Sequence, residues 1–342
     1  MTLELPILRL GLAGFSAEQQ QLARAAVEAA TPPTATWALG ALAEADAWWV
    51  NGARTLLMSD GTLRIGSGAP AGHPMQLNLP DVDRPIAFSK PLPQPPFEAA
   101  YSFDLTDRRQ CVGILDRFTA WLRPMLAQFS LASCIIEHHA ALGGGSFEVL
   151  LNGLLIAVVD MRGDVGVLPT AGPGDLEEAI WRRAAASRPQ VPEHFARISM
   201  SQLMWAFAMR TQRDVLPPHY RTGLIYYRRP PRLPQRALQD SHLLVLRELA
   251  SGSGTLDELG LRIGMSESEL VRDLGALYLV GAITSNPRRA AQAAVRRVEV
   301  PDSVLSGPHS ENNRSAPPAR SGVAPRRPFI SDLTVPASLA PN

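Results

Sequence analysis

The sequence predicts a multidomain protein that combines an α/β sheet domain with an α+β domain and ends in a disordered tail. Three observations lead to this prediction. Short apolar runs alternate with helical patterns over residues 7–95, which is typical of a parallel sheet. Asn152-Gly153 separates two apolar runs and predicts an antiparallel hairpin. Three short helical patterns follow one another from residue 238. The predicted domains are residues 1–95, 96–235 and 236–290, followed by a tail over residues 291–342.

The first predicted domain begins with a strand and a capped helix. Ile7–Ala13 is an apolar run that predicts a buried strand. Ser16 and Gln19 form a capping box for a helix over Ala17–Ala29. The proline-rich run 91–96 can continue neither a strand nor a helix, so we interpret it as a linker and a domain boundary. Further strands are predicted at Thr34–Leu39, Ala47–Val50, Thr62–Ile65, Gln76–Leu79 and Pro85–Phe88, with a helical turn at Ala41–Ala45.

The middle domain is predicted to begin with a helix from Thr106 to Ile136 that is kinked at Pro124. A three-stranded meander then surrounds the Asn152-Gly153 turn. Two helices follow, one from Asp175 to Ala186 and a buried one over Gln202–Arg210, which starts at the capping box of Ser199 and Gln202. The strands of the meander are predicted at Ser146–Leu151, Leu154–Val159 and Val165–Leu168.

The third domain is predicted to contain three helices and a closing strand. The helices cover Ser241–Ala250 and Leu256–Ile263, with a third that begins after Ser266. Leu279–Ser285 is the predicted strand. From residue 300 the chain is rich in Ser, Pro, Ala and Arg and almost free of aromatic residues, so it cannot bury enough apolar surface to fold.

Composition limits the classes of function. The chain has 33 basic and 32 acidic residues, a net charge of +1, and Lys90 is its single lysine. This balance argues against a chain that coats nucleic acid or an anionic membrane along its whole length. Arginine in place of lysine, together with abundant alanine, indicates a GC-rich bacterial genome.

The sequence also predicts a cytoplasmic protein. No apolar run reaches the ~18 residues that a membrane span needs, and the N-terminal segment with Glu4 lacks the basic start of a signal peptide. Cys111 and Cys134 belong to no disulfide or metal-ligand pattern. We therefore expect two buried thiols in a reducing compartment, and no membrane partner.

The first domain resembles a degenerate receiver domain of response regulators. In that family the third strand ends in a phosphoacceptor aspartate, and the matching residue after the apolar run Ala47–Val50 is Asn51. The acidic pair that holds Mg²⁺ after the first strand of a receiver is matched by Ala13 and Gly14. The fifth strand of a receiver ends in Lys-Pro, and Lys90-Pro91 fits that pattern.

This resemblance covers residues 7–92 and implies a receiver-like fold without its chemistry. Asn51 is a poor nucleophile, and Ala13 and Gly14 offer no anionic oxygen to a divalent cation. We expect a pseudo-receiver that signals by binding, with no metal and no cofactor. Lys90 is then a remnant of the fold, an interaction residue, or simply an exposed lysine before a linker.

The third domain resembles a winged helix in its three-helix order, short turns and closing strand. A helix that reads the major groove needs Arg, Lys, Asn or Gln near its start. Here the third helix begins with Ser266-Glu267-Ser268-Glu269, and residues 236–290 hold six arginines against seven acids. Only Arg288 and Arg289 lie where they would touch a DNA backbone. The pattern favours protein interaction; the alternative is a DNA-binding transcription regulator, acting as a homodimer that doubles its sparse basic surface.

The densest cationic cluster comprises Arg228, Arg229, Arg232 and Arg236. Arginine forks match phosphates, and the run has a superficial likeness to the arginine motif of cyclic-dinucleotide-binding domains. The companion motif is missing, because residues 60–66 have a different spacing and lie in another domain. The prolines within the run favour a solvated linker. The alternative is a nucleotide second-messenger effector that uses this cluster.

The sequence contains no recognisable catalytic constellation. Glu137-His138-His139 has no second ligand pair at helical spacing, and Gly143–Gly145 does not follow a strand as a phosphate loop does. The sequence therefore predicts a non-catalytic bacterial signalling adaptor or regulator that acts through a protein partner.

Overall fold

The computed structural model describes residues 4–30, 34–70, 72–93, 97, 99–185 and 189–291. The chain divides into two units, Met1–Ala294 and Val295–Asn342, and every described residue belongs to the first. The predicted disordered tail lies outside the described residues, apart from Ala291. The described part combines one parallel sheet with several antiparallel sheets, which confirms the predicted mixed class.

The N-terminal part is built on a five-stranded parallel sheet. Up to residue 103 the described chain forms the strands β1 (Ile7–Ala13), β2 (Thr36–Gly40), β3 (Ala47–Asn51), β4 (Thr55–Leu57), β5 (Thr62–Ile65), β6 (Met75–Asn78), β7 (Ile86–Ser89) and β8 (Ser102–Phe103). The parallel sheet has the order β2-β1-β3-β7-β8. The strands β4, β5 and β6 form a separate antiparallel sheet, so a meander instead of a helix connects β3 to β7.

Two of these observations correct the sequence predictions. The parallel sheet does not end at residue 95, because β8 pairs with β7 beyond the proline-rich run. The strand that ends before Lys90 is consequently the fourth in the sheet order, and not the fifth. The sequence also missed β4, whose three residues are too short to show a period.

Different elements pack against the two faces of the parallel sheet. Helix α1 (Ala17–Glu28) and helix α2 (Arg108–Trp121) pack together with β2 and β8, around a core that includes Trp49 and Phe118. Ser16 caps α1 through the predicted capping box, since its hydroxyl accepts from the Gln19 N–H and its N–H donates to the Gln19 side chain. The opposite face is covered by β5, where Leu63 packs in one cluster with Val50.

The long predicted helix from Thr106 to Ile136 is in fact two helices. Helix α2 ends at Trp121, and after Leu122 helix α3 (Arg123–Glu137) begins with Pro124 in its first turn. A proline lacks the N–H that an interior position must donate, so a new helix start accommodates it better than a kink. The short helix α4 (His139–Leu142) follows.

The middle part contains a second, antiparallel sheet. Its strands are β9 (Ser146–Leu151), β10 (Leu154–Asp160), β11 (Asp164–Val167), β12 (Ile180–Arg183) and β13 (Ala196–Ser199), in the order β12-β9-β10-β11-β13. The predicted hairpin is confirmed, and both Asn152 (φ 50°) and Gly153 (φ 80°) adopt the left-handed conformation that a type I′ turn requires. The predicted meander is thus the centre of a five-stranded sheet.

Two helices accompany this sheet. The helix predicted from Asp175 is present, but its extension to Ala186 is wrong: α5 (Pro173–Glu178) stops early, β12 follows and pairs with β9, and Ala186 itself lies outside the described residues. The edge of β9 can form backbone hydrogen bonds with a further strand. Ile180 and Trp181 are residue types that favour a strand over a helix. The buried helix α6 (Met200–Ala208) starts at Ser199 as predicted and packs between α3 and the C-terminal helices.

The C-terminal part holds the three predicted helices. They are α8 (Asp240–Ser251), α9 (Leu256–Ile263) and α10 (Glu267–Leu279), preceded by α7 (His219–Thr222) and β14 (Tyr226–Tyr227) and closed by β15 (Ile283–Thr284). The predicted strand Leu279–Ser285 shrinks to two residues, because α10 continues through Leu279. Strand β15 pairs with β14, which lies before α8. None of the described helices has the length and apolar character needed to cross a membrane.

Candidate functional site

Three strands of the parallel sheet bring small side chains to one edge. β1, β3 and β7 run in the same direction and end at Ala13, Asn51 and Ser89, so their carboxyl ends meet at the same edge. In parallel sheets this edge is where ligands usually bind. Asn51 is paired in register with Ser89, and Ala13 with Val50. The sequence placed Ala13 and Asn51 together, and it missed Ser89.

The side-chain amide of Asn51 is fixed at both ends. Its Nδ2 donates to the carbonyl oxygen of Gly14 at 2.9 Å and to Oε1 of Gln19 at 3.0 Å. Its Oδ1 accepts from the N–H of Ala53 at 3.1 Å and so caps the turn after β3. Only 2% of the residue is exposed. Both amide protons form hydrogen bonds and the side chain is buried. Asn51 therefore has a structural role and is not an accessible reactive group.

The described residues that surround Asn51 offer no charged ligand to a cation. Ala13 and Ser89 are buried, and the hydroxyl of Ser89 accepts from the N–H of Gly52 at 3.3 Å. Gly14 has φ +79°, and a β-carbon there would lie 3.0 Å from the Ile65 side chain. Among the described residues no group of His, Cys, Asp and Glu is placed to hold a metal ion.

Lys90 does not complete a site with Asn51. Its side chain is exposed, and its N–H donates to the carbonyl oxygen of Phe103 at 2.8 Å. The pKa of Asp104 is lowered, mainly by hydrogen bonds from Thr106, and the charge of Lys90 contributes to the same effect. The backbone of Lys90 is therefore held at the end of β8. The peptide bond between Lys90 and Pro91 is cis.

Two residues of the arginine cluster line a cleft. Arg229 and Arg232 line a volume of about 610 Å³ together with Arg162, which lies in the turn between β10 and β11. Arg228 and Arg236 belong to the same run of sequence but do not line this cleft. Arg162 could not be predicted as part of this site, since nothing in the local sequence indicates that the two segments meet.

The cations predicted to touch DNA lie in the last described turn. Arg288 and Arg289 are exposed, and the N–H of Arg288 donates to Oδ1 of Asn286 at 2.9 Å. The start of α10 is acidic as predicted. Hydrogen bonds from Ser266 lower the pKa of Glu269 and hold its carboxylate at the N-cap.

The first turn of the third helix is exposed and borders a cleft. Glu267, Ser268 and Arg272 of α10 line a cleft of about 640 Å³ whose opposite wall is the segment 211–215. The Nη2 of Arg272 donates to the carbonyl oxygen of Met209 at 3.3 Å. The one arginine of this helix is therefore directed at the protein itself.

The remaining candidate groups have structural roles. Glu137 forms an ion pair with Arg213 at 2.8 Å, and Nδ1 of His138 lies 2.9 Å from the carbonyl oxygen of Cys134. Both cysteines are buried, and burial raises the pKa of Cys111 and of Cys134 to about 11. These residues form no reactive cluster.

A comparison of the chain with family models, with curated proteins and with solved structures gives no match in any of the three.

Proposed function

We propose that the protein is a non-catalytic regulator that acts by binding a protein partner. In this proposal the N-terminal part is a pseudo-receiver and the C-terminal part is a winged helix. The strand order β2-β1-β3-β7-β8 supports the first assignment, because it is the order of flavodoxin-like sheets, which include receivers. The order α8, α9, α10 and β15 supports the second. Both assignments are analogies of fold, so function must be argued from the sites.

The burial of Asn51 is the observation on which the proposal depends. Phosphoryl transfer needs an exposed nucleophile and a cation that neutralises the growing charge on the phosphoryl oxygens. At this edge the amide of Asn51 is enclosed and hydrogen-bonded to Gly14 and Gln19. Its neighbours Ala13 and Ser89 carry no charge. A domain of this kind transmits a signal through its surface.

Incubation of the full-length protein with acetyl phosphate and Mg²⁺ tests the first half of this proposal. We expect no phosphorylated species in the intact mass. A phosphorylated species that disappears on changing a single aspartate would overturn it. The matched control is a competent receiver domain treated in parallel, which must show the added mass.

DNA binding is the second candidate, and its supporting observation is the exposed pair Arg288 and Arg289. Protein binding is favoured over it because the N-terminal part of α10 holds a single arginine, Arg272, and this arginine donates to the carbonyl oxygen of Met209. A groove-reading helix must present that part to the bases. The acidic residues at the helix start would also repel phosphates.

A gel shift at low salt decides between these two functions. We expect no shift with mixed genomic fragments. A shift that weakens with salt and is reduced in the double variant Arg288→Ala, Arg289→Ala would establish the DNA-binding function instead. Affinity capture with the full-length protein, compared with a chain lacking residues 300–342, then determines whether a specific protein is retained and whether the tail is needed.

A further inference from the structure

The cleft at the arginine cluster is formed by segments that are distant in sequence. Its walls are the turn 161–164, the first turn of α6, the segment of Arg229 and Arg232, and the end of α10 with Gly281. Its volume of about 610 Å³ lies within the usual ~300–1,000 Å³ range of small-molecule sites. The cleft is thus large enough for an organic ligand, whereas a single inorganic ion would fill little of it.

The charge in this cleft is positive and unbalanced. Arg162, Arg229 and Arg232 line it, and the one carboxylate among the lining residues, Asp164, already pairs with Arg197 at 2.5 Å. Among the described residues no carboxylate forms an ion pair with any of the three lining arginines.

Arg229 is also held in place. Its Nε donates to the carbonyl oxygen of Gly281 at 3.3 Å. A β-carbon on Gly281 would lie 3.1 Å from Nη2 of Arg229 and 3.5 Å from Nη1 of Arg228, so the two guanidinium groups lie against the glycine backbone. The pKa of Arg229 is lowered by the partial desolvation of its guanidinium and by the charges of Arg228 and Arg232. Like charges in this arrangement are relieved by a bound anion.

The cleft also has an apolar side. Met200 and Met204 of α6 line it, together with Leu279 and Val280 at the end of α10. Methionine side chains adapt to flat ring surfaces and make favourable sulfur–aromatic contacts. Ser201 adds a hydroxyl to the same wall. An inorganic anion would leave this apolar side unused.

We propose that this cleft binds an organic phosphate of nucleotide size, with the phosphate groups on Arg229 and Arg232 and the ring system against Met200 and Met204. Arginine forks match phosphate oxygens, and the apolar wall accepts a base. This site is separate from the carboxyl edge of the parallel sheet, so it does not depend on the proposed function.

Isothermal titration calorimetry of the full-length protein against ATP, GTP, AMP, a cyclic mononucleotide, a cyclic dinucleotide and pyrophosphate tests this proposal at physiological salt. We expect at least one nucleotide to bind with a micromolar Kd and pyrophosphate to bind at least tenfold more weakly. The double variant Arg229→Ala, Arg232→Ala should weaken nucleotide binding by at least tenfold. The matched control is Arg236→Ala, which removes an exposed arginine of the same run that does not line the cleft.

Three outcomes would overturn the proposal. They are no binding of any nucleotide, an equal loss in Arg236→Ala and in the double variant, and pyrophosphate binding as tight as that of the best nucleotide. Tighter binding of a single-stranded oligonucleotide than of every mononucleotide and cyclic nucleotide would assign the cations to nucleic acid instead. Circular dichroism spectra of the variants must match the unmodified protein, which is expected because both substituted arginines are exposed.

Discussion

Nη2 of Arg210 lies 2.5 Å from Oδ1 of Asp46 and joins the parallel sheet to the segment that follows α6. Both side chains are largely buried, and Oδ2 of Asp46 accepts from the N–H of Arg9 at 2.9 Å. The guanidinium of Arg9 in turn donates to the carbonyl oxygen of Met209 at 2.8 Å. Arg272 of α10 donates to the same oxygen. The carbonyl group of Met209 therefore accepts hydrogen bonds from the parallel sheet and from a C-terminal helix.

We expect Asp46→Asn to destabilise the protein by about 2–3 kcal/mol, because it leaves the Arg210 charge buried without a counter-charge. Urea unfolding measures the loss. A double-mutant cycle with Arg210→Gln should give a coupling energy above about 1 kcal/mol. The matched control is the exposed pair Arg197 and Asp164, for which we expect a coupling below about 0.5 kcal/mol. Equal coupling energies in the two pairs would mean that burial does not strengthen the ion pair of Asp46 and Arg210.

We expect Asn51→Asp to cost about 3 kcal/mol, because a carboxylate oxygen would replace the Nδ2 that donates to the oxygens of Gly14 and Gln19. The matched control is Asn286→Asp, since Asn286 also caps a short turn through Oδ1 but is exposed. That control should change the free energy of unfolding by less than about 0.5 kcal/mol. Equal values for the two variants would show that the Asn51 amide contributes only its capping oxygen.

Two glycines with nearly the same backbone conformation should respond differently to alanine. Gly14 has φ +79° and Gly153 has φ +80°. An added β-carbon meets nothing within 4 Å at Gly153, whereas at Gly14 it would lie 3.0 Å from Ile65 and 3.1 Å from the Gly66 oxygen. We expect Gly153→Ala to cost about 1 kcal/mol from backbone strain alone and Gly14→Ala clearly more. Thermal unfolding of the two variants makes the comparison, and equal losses would contradict it.

Local signals in the sequence predicted most elements of the fold. The capping boxes at Ser16, Ser199 and Ser266 each start a helix in the structure, and Asn152-Gly153 forms the turn of a hairpin. These signals act within a few residues, so they can be recognised without knowledge of the tertiary structure.

The sequence predictions are wrong where pairing between distant segments determines the structure. Ile180–Arg183 is a strand because β9 offers an open edge, and Ser102–Phe103 joins the parallel sheet across a proline-rich run. The same holds for the sites. The sequence located Asn51, but the closed environment around it depends on Gln19 and Ser89, and the cleft at Arg229 depends on Arg162.

Both cysteines should resist modification in the folded protein. Burial raises the pKa of Cys111 and of Cys134 to about 11, and the thiolate is the reactive form. At pH 8 we expect no reaction with 5,5′-dithiobis(2-nitrobenzoate) over minutes in native buffer. In guanidinium chloride we expect two thiols per chain to react. Fast reaction of one thiol in native buffer would show that its surroundings open without global unfolding.

The stability of the protein should fall on mild acidification because of His242. This histidine of α8 is fully buried against Trp205, with the ring centroids 4.7 Å apart, and against Asp273, whose Oδ1 lies 3.4 Å from its Nε2. Burial lowers the pKa of His242 below its ordinary 6.5, and the nearby Arg272 lowers it further, while Asp273 and Glu44 act in the opposite direction. A neutral imidazole is therefore the form that the folded state accommodates.

The direction of this pH dependence follows from the difference in proton binding between the unfolded and the folded protein. The unfolded chain takes up the His242 proton near pH 6.5, whereas the folded protein takes it up only at lower pH, so this contribution to stability is complete above pH 6.5 and is lost as the pH falls below it. We expect urea unfolding to show a loss of stability from this group between pH 7 and 5.5. His242→Gln should remove that part of the pH dependence, and His219→Gln, an exposed control, should retain it. An unchanged slope in His242→Gln would mean that other groups cause the effect.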